Sequence, residues 1–123
     1  GRVRFTGALA HEAALDAMAA ADLVVVPSLR EGCGVVALEA AALGVPVVAT
    51  ATGVMAEVTC AQGVVPPGDV PALAVAMREM LAAPALREHC SSEGRERVAA
   101  GFTWDVIARS TLAVYERVLG SGA

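Results

Sequence analysis

The sequence contains no lysine, very few aromatic residues and no long apolar run. Its nine basic residues are all arginine, and the chain has 13 acidic residues, which gives a net charge of −4. A continuous basic surface for nucleic acid is therefore excluded. No stretch reaches the ~20 apolar residues of a membrane-spanning helix, and no basic segment precedes an apolar one at the start. We expect a soluble, cytoplasmic protein.

Cysteine and histidine are also scarce. Cys33, Cys60 and Cys90 are widely spaced, with no CxxC pair and no neighbouring pair of histidines. This spacing predicts neither a disulfide framework nor a zinc site. The two histidines, His11 and His89, lie far apart in sequence, and we expect each on the exposed side of a helix.

The length of 123 residues fits one domain. Alanine (27) and valine (19) supply most of the apolar residues, whereas aromatic residues make up only 3%, so the core must be built from small aliphatic groups. Residue 1 is glycine rather than methionine, and a strand-like segment follows at once. We therefore expect the chain to be a piece of a longer protein.

Apolar runs of strand length alternate with segments of helical period. We predict strands at residues 3–5, 23–26, 47–50 and 64–65, and helices at 11–21, 34–43 and 55–61. The alternation is typical of βα units around a mostly parallel, Rossmann-like sheet. The valine-rich strands 23–26 and 47–50 should be central, because strands covered on both faces are continuously apolar.

Three longer helices are predicted at the C-terminal end. Asp69 is placed to cap the first of them, and Pro84 stops it. An Arg- and Glu-rich helix follows over 85–100. Thr103 caps the last helix, and Phe102 before the cap can pack against its first turn.

The segment most informative about function is DLVVVPSLREGCGVVALE, residues 22–39. A buried strand ends in a polar loop, and ligands of parallel α/β sheets bind beyond the carboxyl ends of the strands. The amides of Gly34, Val35 and Val36 at the start of a helix can bind phosphate oxygens. A plain strand-to-helix turn with two glycines explains the same pattern.

Glu39 is the second indication, because it is the single charged residue in an apolar helix. A carboxylate in such surroundings needs polar partners, and sugar hydroxyls are suitable donors. Glu31 stands eight residues earlier and could present a second carboxylate to the same cavity. Alternatively, Glu31 is a solvated loop residue paired with Ser28.

Two other classes of protein do not fit. Gly32, Gly34 and Ala37 satisfy GxGxxA, the dinucleotide fingerprint, but four residues separate the strand from the glycines and the next strand ends without an acid. A phosphoacceptor receiver would need clustered aspartates and usually a lysine, which the chain lacks.

Six motifs in order resemble the C-terminal, donor-binding domain of GT-B glycosyltransferases, specifically the large retaining family called group 1 or family 4. They are VRFTG, ADLVVVPS, EGCGVVALEAAALGVPVVAT, TGVMAEV, GVVPPGDVPALAVAM and FTW, and together they span nearly the whole chain. The resemblance implies a Rossmann-like half of a glycosyltransferase that transfers a hexosyl group from a nucleotide-diphosphate sugar to an acceptor hydroxyl.

The resemblance also implies roles for individual residues. Glu31 and Glu39 match the EX7E pair, so Glu31 is expected to face the transferred sugar and act in catalysis, and Glu39 to bind the nucleotide ribose. The other expected donor-binding residues are Gly32, Cys33, Gly34, Val35, Val36, Thr52 and Gly53. No metal and no cofactor are expected, since no DxD pair is present.

Parts of the family pattern are missing. Two strands, the Arg and Lys between them, and the N-terminal acceptor domain are absent, so residues 1–123 are expected to form a partial donor domain that is inactive alone. Val54 replaces the second glycine of a Gly-Gly pair, which affects the conformation of that loop. The missing strands would leave strand 23–26 with an open edge, which invites a homodimer by edge pairing or strand swapping.

Two other functions remain open at this point. A nucleotide-sugar epimerase of the same fold would use the same donor pocket without an acceptor. A degenerate donor domain would serve as a non-catalytic interaction module. If the chain belongs to a longer transferase, the resemblance also allows peripheral attachment at the inner membrane face.

Overall fold

The computed structural model describes residues 2–120. It is an α/β fold in which a three-stranded parallel sheet, in the order β1-β2-β3, is flanked by helices. The strands are β1 (Val24–Val26), β2 (Val47–Thr50) and β3 (Val64–Val65). The helices are α1 (His11–Ala19), α2 (Val35–Ala42), α3 (Met55–Val58), α4 (Val70–Ala82), α5 (Pro84–Gly101) and α6 (Trp104–Gly120), with a 3₁₀ turn at Ala61–Gly63.

Strand β2 is the centre of the sheet, and all four of its residues are buried. Val47 and Ala49 face one core cluster with residues of α2 and α3, whereas Val48 faces a second cluster with Met80 of α4. This alternation follows from the two-residue period of a strand. It explains why residues 47–49 are all apolar.

The prediction of a strand at residues 3–5 is wrong. That segment forms no strand, and the side chains of Val3 and Phe5 are 74% and 94% exposed. A strand needs a neighbour to receive its backbone hydrogen bonds, and within residues 2–120 the segment has none. The related expectation that strand 23–26 is central is also wrong, because β1 pairs only with β2 and forms one edge of the described sheet.

The helix signals in the sequence are confirmed, with changes at the ends, and the helix predicted over 55–61 ends already at Val58. Asp69 Oδ1 accepts a hydrogen bond from Ala72 N at 2.9 Å and caps α4. Thr103 Oγ1 accepts from Val106 N at 3.4 Å at the start of α6. Pro84, predicted to end α4, is itself the first residue of α5, where its missing N–H costs nothing.

Helix α5 is fastened across the fold by a disulfide that the sequence analysis did not expect. Cys60 and Cys90 are bonded, with their Cα atoms 5.2 Å apart. The expectation of no disulfide was wrong because the two residues are 30 positions apart and meet only when α5 packs against the end of α3. Arg97 supports the same junction by donating to Thr59 O at 2.8 Å.

Between residues 2 and 120, no helix is long and apolar enough to cross a membrane.

Candidate functional site

Two loops meet at the carboxyl ends of β1 and β2. Val54 N donates a hydrogen bond to Cys33 O at 3.1 Å, which joins the loop after β2 to the loop after β1. The hydroxyl of Thr50, at the end of β2, donates to Ser28 O at 2.5 Å. These bonds hold residues 28–34 against the sheet edge at which α/β proteins bind ligands.

Gly34 turns the chain into α2. Its φ of 92° is in the left-handed region, and a Cβ at this position would meet Met55 Cε at 2.7 Å. Glycine is therefore needed here for the turn and for the packing of buried Met55. Gly32, by contrast, has open space where a Cβ would stand, so a ligand can approach it.

The start of α2 presents free amide groups. The N–H groups of Gly34, Val35 and Val36 donate no hydrogen bond to any group in residues 2–120, whereas Ala37 N already donates to Gly34 O at 3.0 Å. Val35 and Val36 are exposed. Unpaired N–H groups at a helix N-terminus favour an anion, and the helix dipole adds roughly 0.3–1 kcal/mol.

Glu31 lies in the exposed loop before α2. Its Oε1 accepts a hydrogen bond from the Ser28 hydroxyl at 2.6 Å, the pairing that the alternative interpretation of this residue predicted. This bond occupies one carboxylate oxygen and limits the rotation of the side chain. Glu31 Cβ also lies near Gly53, where an added Cβ would approach it to 3.2 Å.

Glu39 lies one helical turn after Val35, on the same face of α2. Both line a groove of about 360 Å³ whose other walls are apolar. The Glu39 side chain is 25% exposed, so its carboxylate reaches the surface from an apolar setting. The remaining lining residues are Leu38, Ala42, Val98, Phe102, Trp104 and Ile107.

The structure does not bring the two glutamates into one groove. Glu31 does not line the groove that contains Glu39; it lies in the loop before α2, beside Ser28 and Gly53. The N-terminal amides of α2 therefore lie between the two carboxylates along the chain. A ligand that uses both carboxylates must extend across the start of the helix.

His11, which the sequence predicts only on the exposed side of a helix, lies beside the site. It is indeed 69% exposed, as the first residue of α1, but its Nε2 lies 3.6 Å from Glu39 Oε1. No sequence spacing indicates this pair, because it forms only when α1 packs on α2.

The loop after β2 contains two further predicted site residues. Thr52 Oγ1 is buried and has no hydrogen-bond partner among the described residues, which makes it an unused polar group beside the site. Gly53 has a φ of 52°, and a Cβ there would meet Cys33 O at 2.8 Å. Val54 has a φ of −88°, outside the left-handed region, so valine needs no backbone strain to adopt it.

The described part of the chain holds no group of three or more His, Cys, Asp or Glu side chains that could bind a metal ion. Cys33 is an exposed free thiol. What the site offers is a row of amide donors for an anion and two carboxylates that can accept hydrogen bonds from hydroxyl groups.

Comparison with known proteins identifies the family of the chain. The family profile described as "Glycosyl transferases group 1" matches residues 1–97, which is most of the chain. The chain belongs to the group 1 glycosyltransferases. This membership confirms the group 1 assignment indicated by the sequence motifs.

Individual relatives of this glycosyltransferase chain are similar along nearly its whole length. A "Glycogen synthase" of Mycobacterium tuberculosis is 38% identical over 120 residues, covering 91% of this chain and 28% of the relative. An "MMP alpha-(1->4)-mannosyltransferase" of Mycolicibacterium hassiacum is 33% identical over 121 residues, covering 95% of this chain and 29% of the relative.

A solved structure supports the same fold. The "Sucrose-phosphate synthase" of Thermosynechococcus elongatus superposes with a TM-score of 0.84 at 39% identity, covering 98% of this chain and 31% of that one. The chain therefore spans about three-tenths of the length of the relatives it matches.

Proposed function

We propose that this chain is the donor-binding part of a GT-B glycosyltransferase of family 4, which transfers a hexosyl group from a nucleotide-diphosphate sugar to an acceptor hydroxyl with retention of configuration. The observation that carries the proposal is the start of α2. There the unpaired amides of Gly34, Val35 and Val36 stand five residues or fewer before the half-buried carboxylate of Glu39.

The diphosphate of the donor would bind at these amides. Gly32 and Cys33 are exposed next to them, and Gly53 and the unpartnered Thr52 hydroxyl flank the same loop. Amide donors and the helix dipole stabilise the negative charge that grows on the diphosphate as the sugar leaves. The proposed chemistry therefore requires no metal ion and no cofactor beyond the donor itself.

The two carboxylates would take different parts of the donor. Glu39 would accept hydrogen bonds from the ribose hydroxyls, since its second oxygen, Oε2, has no partner among residues 2–120. Glu31, held by Ser28 through Oε1, would direct Oε2 to the transferred sugar and act in catalysis. Hydrogen bonds to a charged acceptor contribute about 1.5–3 kcal/mol each.

The proposed partners follow from the part of the relatives that the chain does not match. An acceptor-binding domain would close over the donor, and residues 1–123 would act as a partial donor domain that does not transfer sugar by itself. We also propose a homodimer through the open edge of β1, with segment 3–5 of a second copy as the added strand. Nucleic acid is not a proposed partner, and the proposed location is the cytoplasm.

Binding measurements by isothermal titration calorimetry test the donor site. UDP and GDP are compared with UDP-glucose and GDP-mannose. Glu39→Ala should lower the affinity for both a nucleotide and the corresponding nucleotide sugar by about tenfold or more, because one hydrogen bond to a charged acceptor is lost. Glu31→Ala should weaken the nucleotide sugar while leaving the free nucleotide nearly unchanged.

Glu88→Ala is the matched control, because it removes one exposed carboxylate from α5 and should change neither affinity. Equal, negligible effects of Glu31→Ala and Glu39→Ala would remove the proposed roles of both. No binding of any nucleotide or nucleotide sugar by the wild-type protein would contradict the donor site itself and favour a non-catalytic module.

A further inference from the structure

His11 is poorly explained by the helix that it begins. The N-cap residue of α1 is Ala10, which makes no side-chain cap hydrogen bond, and alanine is a weak N-cap. Histidine is a moderate helix former, and a protonated imidazole at a helix N-terminus is opposed by the helix dipole. Nothing in the start of α1 therefore favours histidine at this position.

The contact with Glu39 supplies a reason for it. Glu39 is the only charged residue of α2, and its groove is otherwise lined by apolar side chains. A carboxylate in such surroundings needs a polar partner. Among residues 2–120, His11 is the one side chain that pairs with it, with 3.6 Å between His11 Nε2 and Glu39 Oε1.

The contact involves only one of the two carboxylate oxygens of Glu39. His11 faces Oε1, whereas Oε2 has no partner in the described chain. The distance of 3.6 Å is longer than that of a hydrogen bond. An imidazole on one oxygen restricts the rotation of the side chain and leaves the other oxygen available to a ligand.

We propose that His11 is a positioning residue for nucleotide binding, which holds Glu39 so that Oε2 meets the ribose hydroxyls. This inference rests on the proposed donor site. His11 itself needs no contact with the donor. Its effect must therefore depend on both Glu39 and the ribose hydroxyls.

The chain contains a matched control pair. His89 Nε2 lies 3.6 Å from Glu93 Oε2 on α5, with side-chain exposures of 63% and 30% against 69% and 25% for His11 and Glu39. The two pairs have the same chemistry and distance and similar exposure. The second pair lies within one helix, where Glu93 Oε1 also contacts Arg97, and it is not part of the candidate site.

The test measures the affinity of the protein for UDP and GDP and for their 2′,3′-dideoxy analogues. His11→Ala should lower the affinity for the nucleotide that binds by about two- to fivefold, which is the size of effect expected of a solvent-exposed charged contact. It should leave the affinity for the dideoxy analogue unchanged. His89→Ala should change neither.

A double-mutant cycle completes the test. In the presence of Glu39→Gln, His11→Ala should have no further effect, because the group through which it acts is gone. The ring resonances of His11 in the NMR spectrum should also shift on Glu39→Gln, as those of His89 should on Glu93→Gln.

The inference is overturned if His11→Ala leaves nucleotide affinity unchanged, or if it lowers the affinity for the dideoxy analogue as much as the affinity for the nucleotide. It is also overturned if the His11 ring resonances do not respond to Glu39→Gln. Weakening by Glu39→Ala alone would retain the donor site and reject the role of His11. If the wild-type protein binds none of the nucleotides, the donor site and the role of His11 fail together.

Discussion

Cys60 and Cys90 form a disulfide that joins the residue before the 3₁₀ turn to the middle of α5. Both residues are almost completely buried, at 1% and 4% exposure, and they belong to the same core cluster. The bond closes a loop of about 30 residues that contains β3 and α4. It therefore crosslinks the chain across one face of the sheet.

Reduction of this bond should lower the free energy of unfolding by about 3–4 kcal/mol, the loop-closure entropy expected for such a loop. Denaturant unfolding of the protein with and without a thiol reductant measures the change. Cys33→Ser, which removes the free exposed thiol, is the control. It should leave the unfolding midpoints of the oxidised and the reduced protein unchanged. Identical midpoints for the reduced and oxidised protein would contradict the crosslink.

Gly34→Ala should destabilise the fold by about 1–3 kcal/mol, because it combines a positive φ with an added methyl group against Met55. Gly32→Ala is the companion variant. Its Cβ meets open space, so it should leave the unfolding midpoint unchanged but weaken nucleotide-sugar binding. Thermal unfolding and calorimetric titration of both variants separate the two effects. Equal destabilisation by both would show that the packing against Met55 is unimportant.

Thr50→Val should lower stability by about 1–2 kcal/mol, because the hydroxyl that donates to Ser28 O at 2.5 Å is lost and the carbonyl is left without that donor. The loop that contains Glu31 should become more mobile, as amide hydrogen exchange of residues 28–34 would measure. Thr111→Val removes an exposed hydroxyl bonded within α6 and should change stability by less than ~0.5 kcal/mol. A Thr50→Val protein with unchanged exchange in that loop would contradict the assigned role.

Arg4→Pro should dissociate the proposed homodimer, because proline in segment 3–5 cannot donate a backbone hydrogen bond to the edge of β1. Arg4 is exposed and lies outside the helices and strands, so the midpoint of unfolding of each protomer should not change. Sedimentation velocity of the wild-type and variant proteins measures the change. A wild-type protein that sediments as a monomer, or a variant that remains a dimer, would reject this mode of pairing.

The local features of the fold were readable from the sequence because each depends on residues close together in the chain. The valine run of β2, the Asp69 cap of α4 and the Thr103 cap of α6 are of this kind. The family motifs likewise indicated the group 1 glycosyltransferases, and the family match confirms it. The roles of Glu31 and Glu39 remain predictions.

Only the tertiary structure decided which distant residues meet. The bond between Cys60 and Cys90 and the pairing of His11 with Glu39 depend on how helices pack, and no spacing in the sequence encodes such contacts. The failure of segment 3–5 to form a strand has the same origin. A run of β-forming residues specifies an extended backbone, but a strand exists only where a second backbone lies within hydrogen-bonding distance.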